Sequence, residues 1–83
     1  MEKSIHSAHY EIFLKTLRGA RRRQGLTQED LAQRVKETQS FVSKCERGER
    51  RIDVVELREF CAALGLPLKD FVADFERALK RRG

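Results

Sequence analysis

Apolar positions along the chain recur at helical rather than alternating spacing. From Ala8 to Gln24, the residues Tyr10, Phe13, Leu14, Leu17, Ala20 and Arg21 fall three and four apart, one stripe of an amphipathic helix. Gly25 stands where such a helix closes on a left-handed residue. Gly19, inside the stripe, costs about 1 kcal/mol against alanine and is read as a close helix contact. Thr27 is a natural N-cap for a second helix, with Glu29 and Asp30 in its first turn and Leu31, Ala32 and Val35 inward. Lys36-Glu37 breaks that short helix. Thr38 caps a third, running from Gln39 to Arg47 with Val42 and Cys45 inward, and Gly48 ends it. Beyond the loop Glu49-Arg50-Arg51-Ile52, Asp53 caps a fourth helix through Leu64, with Leu57, Phe60, Cys61 and Leu64 on its apolar face. Gly65-Leu66-Pro67 stops and restarts the chain. A last helix, Leu68 to about Arg82, carries Phe71, Val72, Phe75 and Leu79. The pattern predicts an all-α, compact five-helix fold. Residues 1–9 form a flexible N-terminus and 10–82 a single domain, without internal repeat or low-complexity linker.

Composition narrows the class. The 83 residues hold 18 Lys and Arg against 13 Asp and Glu, a formal charge of +5. Charged residues make 37% and apolar ones 40%, too hydrophobic for intrinsic disorder. One Pro, no Trp and few Gly leave a helix-former composition, short of the Thr, Val and Ile that a β domain needs. No run approaches the roughly 20 apolar residues of a membrane span, and the N-terminus lacks the apolar core of a secretory signal. Cys45 and Cys61 are too few for a disulfide scaffold and form no CxxC pair, which points to free thiols in a reducing cytoplasm. A basic balance favours a polyanionic partner.

Helices this short are marginal alone and exist only because they pack, so their polar faces are informative. On the third helix, inward Val42 and Cys45 leave Gln39, Ser40, Ser43 and Lys44 outward. Amides, hydroxyls and an ammonium are the groups that hydrogen-bond base edges. Arg21, Arg22 and Arg23 lie ahead of this helix, and Arg47, Arg50 and Arg51 behind it. Base-reading chemistry flanked by phosphate-binding chemistry suits docking in the major groove of double-stranded DNA.

With these residues in place, positions 15–72 resemble the Cro/repressor-type helix-turn-helix (XRE) family of phage and bacterial regulators. The resemblance is carried by Leu17, Arg21, Gly25-Leu26, Thr27-Gln28-Glu29-Asp30-Leu31-Ala32, Val42-Ser43-Lys44, Glu46-Arg47-Gly48 and Leu64-Gly65. It implies a lambda-repressor-like domain with its motif at about residues 27–47. It further implies that Gln39, Ser40, Ser43 and Lys44 contact bases, while Thr27, Gln28, Arg22, Arg47, Arg50 and Arg51 meet phosphates. Gln28 has a second implied role, supporting the recognition helix, and Arg21 is implied to form a partly buried ion pair with Glu46. The expected activity is that of a sequence-specific transcriptional regulator, a repressor acting as a homodimer on a palindromic operator in a bacterial or phage-type cytoplasm, at the nucleoid. The helix over 68–82 is either its dimer surface or the lid of its core.

Three positions depart from the family pattern. Lys36 stands where the turn usually has Gly, and Glu37 where it has an aliphatic residue. Cys45 replaces a larger side chain. Phe41 is expected half-exposed, packing on the first helix or touching a thymine methyl. His6 and His9 lack a third partner for a metal, no cofactor is implied, and no nucleophile–base–orienter set supports an enzyme. The alternative reading is an antitoxin or other protein-interaction module that uses the same fold and partners, for example, a toxin.

Overall fold

In the computed structural model, which describes residues 7–82, five helices follow in chain order. They are α1 (Ala8–Arg23), α2 (Gln28–Arg34), α3 (Gln39–Glu46), α4 (Val54–Ala63) and α5 (Leu68–Arg82), with no strand among the described residues. The all-α expectation holds, and the radius of gyration is 12.3 Å. Of the stretch 1–9 expected to be flexible, the described residues 7–9 are ordered into the start of α1. Ser7 accepts the Tyr10 N–H at 3.1 Å as the N-cap of α1, so Ala8 and His9 already belong to its first turn. His6 and the rest of residues 1–6 lie outside the described residues.

The starts of the first four helices are each fixed by a side chain. Thr27 and Asp30 exchange bonds in a capping box at α2, Asp53 and Glu56 do the same at α4, and Thr38 caps α3. The first four helices close with one device, a Schellman turn on a residue of positive φ. Leu26, Glu37, Glu49 and Leu66 donate N–H groups to the carbonyls of Arg21, Ala32, Lys44 and Cys61. Three of these turns use glycine. The fourth places Lys36 at φ 60° between α2 and α3, so lysine is accommodated where the family pattern has glycine. A left-handed L-residue costs about 1–2 kcal/mol, of which glycine's extra unfolded-state entropy would offset part. Lys36→Gly is therefore expected to raise stability by about 0.5–1 kcal/mol, read as a higher urea midpoint.

The core joins all five elements around Leu14, Leu17, Leu31, Val42, Cys61 and Phe71, each exposed by no more than 1%. Phe13 is its aromatic hub, meeting Phe71 and Phe75 edge-on at 5.8 Å and Tyr10 at 5.2 Å. These contacts place α5 against α1. Cys45 is fully buried, and Cys45 and Cys61 are both free, buried thiols. Burial pushes the Cys61 thiol up to about 11 and raises that of Cys45 as well, which keeps both in the unreactive thiol form.

Two expectations about packing are corrected. Gly19 marks no close helix contact: a Cβ there would meet only Arg23 Nη1 of its own helix, at 3.4 Å. Phe41 is half-exposed as expected, but the ring partner it finds is on α4, where α1 was expected. Its ring lies 6.3 Å from Phe60 of α4, with the Arg50 guanidinium 4.7 Å above its face.

Candidate nucleic-acid interface

The position of α3 is set by one buried carboxylate. Glu46, 2% exposed, accepts Arg21 Nε at 2.7 Å on Oε2 and Arg21 Nη2 at 3.0 Å on Oε1. Gln28 Nε2 donates to the same Oε1 at 3.0 Å. Arg21 Nη1 reaches the Leu26 carbonyl at 2.7 Å, and Arg18 Nη1 reaches the Glu46 carbonyl at 2.8 Å. One cluster thereby ties α1, the α1–α2 turn, α2 and α3 together. No buried side-chain polar atom among the described residues lacks a partner. Such a cluster fixes orientation more than it adds net stability, because desolvation offsets much of the Coulomb attraction.

On the opposite face of α3, Gln39, Ser40 and Lys44 are exposed and Ser43 is half-buried. The helix turns its apolar side inward and presents amides, hydroxyls and an ammonium outward, which are groups that can read base edges. The Ser43 hydroxyl accepts from Arg47 Nη1, so these two side chains already form one unit.

The six residues expected at phosphates differ in their surroundings. Arg22 is exposed. Thr27 is the N-cap of α2, its hydroxyl accepting from Asp30 N–H at 3.0 Å. The Gln28 amide is turned to Glu46. Arg47 pairs with Glu49, Arg50 pairs bidentately with Glu56, and the Arg51 guanidinium lies 4.9 Å over the Tyr10 ring. Residues that the sequence did not single out also matter here. Arg18 caps the C-terminal end of α3, and Tyr10 Oη accepts the Ile52 N–H at 3.0 Å, holding the α3–α4 loop to α1. Arg18 lies one turn ahead of Arg21, which was the available signal.

The rim carboxylates titrate with consequence. Arg50 holds Glu56 below its ordinary 4.5, Arg47 does the same for Glu49, and the Thr27 backbone N–H lowers Asp30. Groups depressed in the folded state contribute stability above their unfolded values and lose it as pH falls through the folded ones. The urea midpoint should hold from neutral pH to about 4.5 and fall below it, and Glu56→Gln should flatten that acid slope.

A second feature faces away from the inner side of α1. A cleft of about 900 Å³ runs between α1 and α5, with Lys15, Arg18, Arg22 and Arg23 on one wall and Arg77 and Arg81 on the other. Among the described residues, no group of three or more His, Cys, Asp or Glu side chains could hold a metal ion. No helix is long and apolar enough to cross a membrane.

Comparison with known proteins agrees with this geometry. A family described as a helix-turn-helix domain matches residues 13–73. The chain is also similar to a solved structure, an XRE-family like protein from Pseudomonas syringae pv. tomato str. DC3000. Identity is 42%, covering 88% of this chain and 89% of that one, with a TM-score of 0.80. The chain belongs to the XRE family of helix-turn-helix proteins. It is thus a member of a family of DNA-binding regulators that are generally non-enzymatic. No curated protein sequence matches it. Within this XRE protein the Arg21–Glu46–Gln28 cluster, which joins α1, α2 and α3, lies inside the span matched by the family.

Proposed function

We propose that this XRE protein is a sequence-specific transcriptional regulator, a repressor that binds a palindromic operator as a homodimer. The observation that carries the reading is the two-sided character of α3. Its inner face is locked through Glu46, and its outer face offers Gln39, Ser40, Ser43 and Lys44 to solvent. In this reading those four enter the major groove. Gln39 suits adenine, Lys44 guanine, and the serines either base or the adjoining backbone. Arg22, Thr27, Arg47, Arg50 and Arg51 meet phosphates, with Arg47 and Arg50 exchanging their carboxylate partners for phosphate oxygens. Gln28 supports α3 through Glu46 in place of a free phosphate contact.

One recognition helix reads few base pairs, so two copies on half-sites about 34 Å apart supply the remaining specificity. Repression is the simplest outcome, since occupying a promoter needs nothing beyond the DNA-binding surface. The reading places the protein in the cytoplasm. Selection of bound sequences from a random duplex pool tests it. A palindromic consensus is the expected result, and a pool that stays random after several rounds would refute sequence reading.

Gln39→Ala and Lys44→Ala should each weaken binding to the selected operator by about 1–3 kcal/mol while affinity for random duplex persists. Fluorescence anisotropy on both duplexes separates the two terms. Equal losses would show that these side chains do not discriminate bases.

A further inference from the structure

We infer that the cleft between α1 and α5 is a docking groove for an acidic amphipathic helix of a partner protein. The first observation is where the positive charge lies. Six cations line the cleft against a single lining carboxylate, Asp74, a local excess equal to the formal +5 of the whole chain. Around α3 the arginines are matched instead: Arg21 by Glu46, Arg47 by Glu49 and Arg50 by Glu56. Within the cleft only Arg77 is so matched, by Asp74. Lys15, Arg22, Arg23 and Arg81 make no ion pair with any described residue.

The second observation is the floor. Between the two cationic walls lie Ile12, Gly19 and Ala78, and the Thr16 hydroxyl is already bonded to the Ile12 carbonyl at 2.8 Å. Gly19 weakens α1 relative to alanine, and no neighbouring helix approaches it. Its effect is to keep the floor open. Arg22 at the rim can serve a duplex as well, but the uncharged strip of Ile12, Gly19 and Ala78 between the cations offers nothing to a phosphate backbone. The cleft matches a helix that lays an apolar stripe down and flanks it with carboxylates, each within reach of a guanidinium fork. From Lys15 to Arg22 the wall runs seven residues, roughly 10 Å at 1.5 Å per residue, so the groove seats about two turns of guest helix.

The probe is a fluorescently labelled synthetic helix with a leucine stripe and glutamate flanks, titrated with the full chain and compared with its lysine-flanked counterpart. Wild type should bind the glutamate peptide saturably and ignore the lysine peptide. Gly19→Leu fills the floor without changing charge, and circular dichroism checks its helix content. It should weaken peptide binding by at least about tenfold and leave random-duplex binding unchanged. Lys15→Ala/Arg81→Ala should weaken the peptide as strongly through the walls. The inference is overturned by any of three results. These are no saturable binding of the glutamate peptide, a Gly19→Leu protein that binds it as wild type does, or a Lys15/Arg81 variant that loses duplex affinity as much as peptide affinity. The last would make the cleft a DNA-backbone surface. None of these results depends on whether an operator is found.

Discussion

Glu46→Ala should lower the unfolding free energy by about 3–5 kcal/mol, the largest effect expected of any single polar substitution here. The substitution strands the Arg21 guanidinium, 7% exposed, between α1 and α3, and leaves the Gln28 amide without its acceptor. The cost arises from uncompensated desolvation, not from the loss of an intrinsically strong pair. That distinction has its own check. Arg21→Met/Glu46→Leu, which removes both charges and refills the volume, should recover most of the lost stability. Urea unfolding followed by circular dichroism reads both variants. If the double variant proved as unstable as Glu46→Ala, the cluster would be contributing net stability and not only orientation.

Phe71→Ala is the second large effect, expected at about 3–5 kcal/mol as transfer and cavity costs add. Phe71 is 1% exposed and meets Phe13 edge-on at 5.8 Å, so its ring belongs to the core of one chain. The loss should be the same at every protein concentration. A destabilisation that shrank on dilution would place the ring at a subunit interface instead. Of the apolar residues named on α5, Phe71 and Phe75 pack on Phe13, Val72 is exposed and Leu79 half-buried. Closing the core is therefore the role that its two aromatic residues perform.

Much of this fold can be read from residues within four positions of one another. Thr27, Thr38 and Asp53 announce helix starts because a cap acts on the backbone two or three residues ahead. Gly25 and Gly48 announce ends because few other residues tolerate positive φ. What the sequence conceals is pairing across distance. The 25-residue separation of Arg21 and Glu46 was visible only through family resemblance. The Gln28–Glu46 bond, the seat of Phe41 on Phe60 and the pairing of Arg47 and Arg50 with acids depend on how helices meet, which periodicity does not encode. Gly19 misleads for the same reason: a glycine in a helix signals a missing side chain without saying whether packing or an opening requires it. The charge of α3's rim misleads further, since counting arginines ignores the carboxylates that fold beside them.

Convergence of α1, α2 and α3 on a single carboxylate has a thermodynamic corollary. A reading helix clamped before it meets its target has little tilting or sliding freedom left to lose on contact. The entropic penalty of association then falls mainly on a few long side chains at the surface. Loosening the clamp with the outer face intact should show up as slower capture and faster release of the same sequence, with no change in which sequence is chosen.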